Sequence, residues 1–105
     1  MKYRILYTNI FIKWFEGLKD RKVIQRISDR IDRIIDGNFG DSKVICANLY
    51  ELRFFFGSGI RIYFTKQNDE IIILLSGGNK SSQKKDIARA KELAKELAKE
   101  VENGQ

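Results

Sequence analysis

The segment 49–87 constrains the fold more than any other part of the chain, because two runs of alternating apolar residues flank a short glycine-rich tract. This tract is Gly57-Ser58-Gly59, and a three-residue loop of that composition is typical of a β-hairpin. Such a loop sets Phe56 opposite Ile60, with two further apolar pairs behind it. The predicted apolar face consists of Leu52, Phe54, Phe56, Ile60, Ile62 and Phe64.

The opposite face of this hairpin has a different character. The same register pairs Phe55 with Arg61, Arg53 with Tyr63, and Glu51 with Thr65. We expect this face to be open to solvent, and arginines beside aromatic rings on an open sheet are typical of nucleic-acid-binding surfaces. An exposed Arg61 also predicts that Arg61→Ala changes stability only within about ±0.5 kcal/mol.

A second hairpin is predicted from Ile60–Thr65 and Ile71–Ser76, joined by a turn within Gln67-Asn68-Asp69. A two-residue turn places alternate residues of the last strand on opposite faces. By that parity, the apolar face receives Ile71, Ile73 and Leu75. The face that carries Arg61 receives Ile72, Leu74 and Ser76.

Helices are predicted on both sides of this sheet region in the sequence. Thr8 or Asn9 can cap a first helix that ends near Gly17, and Asp20 can cap a second that ends at Gly37. A third helix begins near Ser82. Its apolar stripe consists of Ile87, Ala90, Leu93, Ala94, Leu97, Ala98 and Val101.

These elements predict an α+β fold in one domain spanning residues 1–105. An N-terminal strand (Tyr3–Tyr7) and a helical hairpin pack on a mainly antiparallel sheet of four or five strands, with a strand at Lys43–Cys46 and a C-terminal helix. The second helix should bring Ile27, Ile31 and Ile34 onto the apolar sheet face.

Composition narrows the possible functions. The 105 residues carry 20 Lys and Arg against 14 Asp and Glu, a net charge of +6, which favours a polyanionic or acidic partner. The absence of histidine excludes Ser-His-Asp and Cys-His nucleophile systems. A single cysteine, Cys46, excludes an internal disulfide and a Cys/His metal site, so we expect no metal, no cofactor and a reducing, cytoplasmic location. We find neither a signal-peptide pattern nor the run of about 18 apolar residues that a membrane span requires.

Several blocks resemble the phage-derived HigB-like branch of the RelE/ParE toxin superfamily, often called addiction-module killer proteins. The resemblance extends from about Phe11 to Leu97. The blocks are Gly37–Lys43, Glu51-Leu52-Arg53, Gly57–Phe64, Leu74–Gln83 and Asp86–Ala90. The chain departs from the family pattern at Ile60, where an aromatic residue is common, and at Asn79, where aspartate is common.

The resemblance implies a type II toxin–antitoxin toxin that cleaves mRNA at the ribosome and arrests translation. ParE-like relatives share the fold but inhibit DNA gyrase, and this alternative stays open. For a metal-independent endoribonuclease, Arg61, Arg53 and Lys80 are the candidate catalytic residues. The candidate RNA-binding residues are Tyr63, Phe55, Lys84, Lys85 and Lys43.

The implied partners are the ribosome, mRNA and a helix-turn-helix antitoxin encoded by the adjacent gene, with operator DNA contacted only through that antitoxin. The antitoxin has two possible docking surfaces. One is the face with Arg53, Arg61 and Lys80, where association would depend on salt. The other is the helical hairpin, where an apolar contact could use Phe11, Trp14, Phe15 and Leu18.

Overall fold

The computed structural model describes residues 2–104, and their side chains as far as residue 100, so the side chain of Val101 in the predicted stripe lies outside the described residues. Five strands and three α-helices follow one another along the chain. In order they are β1 (Arg4–Tyr7), α1 (Asn9–Glu16), α2 (Arg21–Ile35), β2 (Ser42–Cys46), β3 (Leu49–Arg53), β4 (Arg61–Gln67), β5 (Ile71–Gly78) and α3 (Gln83–Gly104). A short 3-10 helix, Lys80–Ser82, leads into α3.

The strands form one sheet in the order β1-β5-β4-β3-β2. Strand β1 pairs with β5 in parallel, and the other neighbours are antiparallel. The predicted α+β architecture is therefore confirmed. Within residues 2–104, no helix is both long enough and apolar enough to traverse a bilayer.

The predicted helix boundaries are confirmed. The Thr8 hydroxyl accepts a hydrogen bond from the Phe11 N–H at 3.0 Å, and the Asp20 carboxylate accepts one from the Lys22 N–H at 2.9 Å. These side chains satisfy N–H groups that have no partner within the helix. Gly37 follows α2 with φ +90°, a conformation in which a Cβ atom would be strained.

Helices α1 and α2 cover one face of the sheet. The predicted core is confirmed there, since Ile27, Ile34, Leu52 and Ile62 are completely buried. Phe54, Ile60, Phe64 and Ile31 belong to the same cluster, and Phe56 packs against it. Burying a side chain of this size stabilises the fold by about 1.5–3 kcal/mol.

The predicted register of the first hairpin is wrong by two residues. Leu52 lies opposite Ile62 and Arg53 opposite Arg61. The Phe54 N–H donates to the Ile60 carbonyl at 3.0 Å, so five residues, 55–59, form the loop instead of three. A shift of two preserves the side-chain parity, and this explains why the apolar face was still assigned correctly.

The predicted faces of β5 are wrong between Ile71 and Leu75. Gln67 pairs with Ile71, so three residues separate the strands instead of two, and the parity is inverted. As a result, Ile72 and Leu74 lie in the core beneath α1 and α2. A bulge next to Tyr63 then restores the predicted parity, because Tyr63 pairs with Ser76.

The second sheet face was expected to be open, and the structure contradicts this. Helix α3 covers it and forms a second core with Leu49, Tyr63, Ile73, Leu75 and Ala90. Ile87, Leu93, Ala94 and Leu97 of the predicted helical stripe also pack there. The face is closed because β5 carries apolar residues on both of its sides, and the apolar stripe of α3 buries those that point to this face.

Candidate active site at the β3–β4 loop

A cleft of about 440 Å³ lies beside the loop between β3 and β4. It is lined by Phe54, Phe55, Phe56, Gly57, Ser58, Gly59, Arg61 and Lys80. The loop can turn here because Gly57 and Gly59 have φ values of +59° and +75°. The cleft therefore combines two cationic side chains with three aromatic rings.

Arg61 is not the exposed arginine that the sequence predicts. It is 8% exposed, and its Nη1 lies 3.3 Å from the carbonyl oxygen of Gly59. Its Nε lies 4.0 Å from Glu51 Oε2. The expectation that Arg61→Ala leaves stability unchanged was based on exposure and is therefore wrong in its premise.

Glu51 is the carboxylate behind Arg61, and it is completely buried. Its Oε2 accepts a hydrogen bond of 2.8 Å from Gln83 Nε2, in the first turn of α3. The second oxygen, Oε1, has no hydrogen-bond partner among the described residues. Glu51 thus joins the start of α3 to the strand pair that carries Arg61.

Tyr63 lies opposite Glu51 and is also completely buried, which contradicts its predicted place on an open face. Burial, and then the neighbouring charge of Glu51, raises the pKa of the Tyr63 phenol far above its usual range. The phenol therefore stays protonated near neutral pH and is not accessible to a base of RNA in this structure.

The entry to α3 is fixed by side-chain capping. Asn79 Oδ1 accepts a hydrogen bond from the Ser82 N–H at 3.1 Å, and Ser82 Oγ donates to Asp86 Oδ2 at 2.5 Å. A Cβ atom on Gly78 would lie 1.8 Å from Asp86 Oδ2, so only glycine leaves room for this carboxylate. Asn79, which departs from the family pattern, is thus a helix cap.

Lys80 and Arg61 are brought together, as predicted. The Lys80 N–H donates to the Ser58 carbonyl at 3.3 Å, which ties the start of the 3-10 helix to the loop. A Cβ atom built on Gly59 would lie 3.2 Å from Lys80 Cβ and 3.7 Å from Arg61 Nη1. Both residues therefore adjoin the space that a side chain at Gly59 would fill, and both line one cleft.

Arg53 takes part in a different set of contacts. Its Nη2 donates to Asp41 Oδ1 at 3.0 Å, and its guanidinium lies 5.7 Å from the centre of the Phe55 ring. Phe55 is 79% exposed, as a base-stacking residue must be. Arg53 lines a second cleft on the far side of the loop, away from Lys80.

The three remaining predicted residues are exposed but do not line the Arg61 cleft. Lys84 and Lys85 lie in the first turn of α3, and Lys43 lies on β2 opposite Glu51. Their proposed contact with RNA would therefore be made at the margin of the site.

Sequence reasoning missed two features of the site. The first is the burial of Glu51, which could not be seen while its face was assigned to solvent. The second is a group of arginines on α2 beside the loop. Their spacing, Arg26, Arg30 and Arg33, is a signal that was available, since residues four and seven apart share one helix face.

The fold places the chain among proteins with the RelE toxin fold. A doubly substituted Escherichia coli RelE in the free state superposes with a TM-score of 0.63 at 15% identity, covering 96% of this chain and 99% of that one. A chain of the Methanococcus jannaschii RelB–RelE antitoxin–toxin complex gives 0.61 at 22% identity, covering 76% of this chain and 95% of that one. The chain in the intact E. coli RelBE toxin–antitoxin complex gives 0.58 at 15% identity, covering 73% and 95%.

Residues 13–99 match the phage-derived Gp49-like protein family, and the chain belongs to that family. An uncharacterised protein of Haemophilus influenzae is 44% identical over 97 residues, which span 92% of this chain and 98% of the relative.

Proposed function

We propose that this protein is the toxin of a type II toxin–antitoxin module and acts as a ribosome-dependent mRNA endonuclease of the HigB kind. The observation that carries the proposal is the placement of Arg61 and Lys80 beside Gly59 in one cleft. The family and the RelE fold support the toxin role.

The cations suit the charge that develops during RNA cleavage. The ribose 2′-hydroxyl attacks phosphorus, the bond to the 5′-oxygen breaks, and negative charge accumulates on the phosphate oxygens. Arg61 can donate two parallel hydrogen bonds to those oxygens, and Glu51 holds its guanidinium from behind. Lys80 supplies a second positive charge and a proton for the leaving oxygen.

Proton removal from the 2′-hydroxyl requires a base. Tyr63 is unsuited because its phenol is buried and its pKa is raised. The residues that line the cleft include no carboxylate, so we assign the base to water or to the ribosome, which also shapes the mRNA. Arg53 has a supporting role through Phe55, on which a base can stack.

The absence of a carboxylate from the cleft lining also favours an alternative function, the inhibition of DNA gyrase. A protein that inhibits DNA gyrase without catalysis, as ParE-like relatives do, needs a cationic surface but no acid or base. The two functions predict different damage in the cell.

Induced expression followed by primer-extension mapping of mRNA ends separates them. The nuclease predicts new ends confined to translated reading frames, which disappear when translation initiation is blocked. Intact mRNA with relaxed or broken DNA would refute the nuclease and support gyrase inhibition. Lys80→Ala and Arg61→Lys serve as site variants. Lys2→Ala serves as the matched charge control, because Lys2 is exposed and does not line the cleft.

The partner is proposed to be a helix-turn-helix antitoxin from the adjacent gene. The structure offers the cationic cleft and an apolar groove of about 480 Å³ between α1 and α2, where Tyr7 and Ile12 are 47% and 39% exposed. Phe11 is 2% exposed and Trp14, Phe15 and Leu18 pack on the core, so the hairpin offers less free apolar area than the sequence predicts. Co-expression and a salt titration of the complex distinguish the two surfaces, since only the ionic one weakens steeply with salt.

A further inference from the structure

A second cleft, which we call the arginine cleft, lies on the other side of the β3–β4 loop from Arg61 and Lys80. Its volume is about 430 Å³. It is lined by Arg26, Asp29, Arg30, Arg33, Asp41, Arg53, Phe54, Phe55 and Phe56. Four arginines against two aspartates make it a cationic surface lined by aromatic rings.

The arginines of this cleft are not equivalent. Arg30 uses all three guanidinium nitrogens to bind backbone carbonyls, those of Phe39, Arg53 and Asp41, at 2.7–3.0 Å. Arg53 is paired with Asp41 at 3.0 Å. These two arginines build the wall of the cleft, and the hydrogen-bonding capacity of Arg30 is largely used.

Arg26 and Arg33 differ from them, because both are exposed and neither forms an ion pair with any described residue. Asp29, between them on α2, accepts a hydrogen bond from Gln25 at 2.9 Å. Arg26 lies 4.8 Å from the centre of the Phe56 ring, which holds its side chain along the cleft. Two exposed guanidinium groups, one of them positioned by the Phe56 ring, are therefore available to an anionic ligand.

The neighbouring cleft indicates which anion this is. Phe54, Phe55 and Phe56 line both clefts, so the arginine cleft continues the Arg61 cleft across the loop. The exposed Phe55 ring lines both clefts and so adjoins both groups of cations. Cations on both sides of an aromatic platform suit a strand whose phosphates are separated by bases, whereas a folded acidic protein has no need of the platform.

We propose that the arginine cleft is a second phosphate-binding site for single-stranded RNA, in which Arg26 and Arg33 hold the backbone beside the nucleotide bound at Arg61. This proposal rests on the proposed function for its substrate. It adds a site outside the cleavage cleft that lengthens the contact with RNA and contributes no chemistry.

Fluorescence anisotropy with a labelled oligouridylate of about ten nucleotides tests this site in the purified protein, without ribosomes. The variant Arg26→Gln/Arg33→Gln removes both charges and keeps two methylene groups of each side chain. The logarithmic salt slope should decrease in magnitude by about 1.4, and affinity near 0.1 M salt should fall about 10- to 30-fold. Arg21→Gln, an exposed arginine on the same helix outside the cleft, should change neither quantity.

Arg26→Lys/Arg33→Lys should restore most of the salt slope, because lysine keeps the charge that a phosphate requires. Equal thermal unfolding midpoints among the three variants show that folding is not the cause. An unchanged affinity and slope in the glutamine variant overturn the site. The RNA site is also overturned if the glutamine variant binds RNA normally but no longer binds the antitoxin, because the cleft would then be a protein-binding surface.

The same measurements separate this proposal from the proposed function. If RNA binding depends on Arg26 and Arg33 but the protein leaves cellular mRNA intact, only the proposed nuclease function is refuted. If the protein cleaves mRNA but its affinity for RNA does not depend on either arginine, only the second site is refuted.

Discussion

Glu51 and Arg61 form an ion pair on neighbouring strands, with 4.0 Å between Glu51 Oε2 and Arg61 Nε. Glu51 is completely buried, and the Arg61 side chain is 10% exposed. Because Glu51 pairs across the strands with Tyr63, Arg61 reaches it diagonally, as long side chains can. A buried carboxylate therefore lies behind the arginine that the cleft presents to its ligand.

Glu51→Gln should lower the free energy of unfolding by about 1–3 kcal/mol, because Arg61 loses its charged partner in a buried position. Urea denaturation measures this change. Glu92→Gln, an exposed substitution on α3, is the matched control and should change stability by less than about 0.5 kcal/mol. Equal effects of the two substitutions would show that the Glu51–Arg61 pair does not stabilise the fold.

Arg61→Lys should fold, yet it should need at least about tenfold more inducer than the wild type to arrest growth. Lysine keeps a positive charge against Glu51 but cannot donate two parallel hydrogen bonds to a phosphate. Arg61→Ala leaves the carboxylate unpaired and should cost about 3–5 kcal/mol, so its inactivity would be harder to interpret. Full growth arrest by Arg61→Lys would exclude a forked contact.

Tyr63 should make the protein less stable in alkali. Since burial and then Glu51 raise the pKa of its phenol, the folded state keeps the proton that the unfolded chain loses above about pH 10. Its contribution to stability is complete below that pH and is lost as the pH rises further. Urea unfolding of Tyr63→Phe between about pH 8 and pH 11 should show a shallower decline.

The half-exposed Tyr7 provides the control for this experiment. Tyr7→Phe changes the same hydroxyl at the surface and should leave the alkaline decline of the wild type intact. A Tyr63→Phe protein whose stability falls as steeply as the wild type would contradict the role of the buried phenol.

Gly77→Ala should destabilise the protein by about 1–3 kcal/mol, because the new methyl group enters space that the Trp14 ring occupies. Its Cβ would lie 2.4 Å from Trp14 Cε3. Thermal unfolding should show a lower midpoint, and Trp14→Leu in the same chain should recover part of the loss. Gly17→Ala is the comparison, since its Cβ would meet no atom closer than 3.4 Å. Equal midpoints for the two variants would contradict this packing.

Phe55→Ala should weaken oligouridylate binding by about 1–3 kcal/mol, the contribution of one stacked base, while leaving the unfolding midpoint unchanged. The ring is 79% exposed and contributes little to the core. Val44→Ala removes another exposed apolar side chain, 66% exposed on β2, and should not affect binding. If Phe55→Ala binds oligouridylate as tightly as the wild type, the Phe55 ring does not stack on RNA, and the loop must serve another partner.

The sequence by itself determined the elements and one of the two cores. Thr8, Asp20 and Gly37 mark helix ends through local hydrogen bonds and local backbone conformation, which neighbouring residues decide. Alternation over the β3–β4 hairpin assigned the apolar face even though the loop length was wrong, because an error of two residues preserves parity. The sequence also predicted that Arg61 and Lys80 lie near each other, because β4 and β5 form a hairpin and Lys80 follows the end of β5.

The tertiary structure alone decided what covers the other face. One additional loop residue after Gln67 inverts the parity of β5, and the bulge near Tyr63 inverts it again. Ile73 and Leu75 therefore face α3, which buries Glu51 and Tyr63 with them. Local propensities do not determine a loop length or a bulge that the packing of both sheet faces selects. Because α3 packs on this face, Arg61 has a buried carboxylate behind it, where the sequence predicted open solvent.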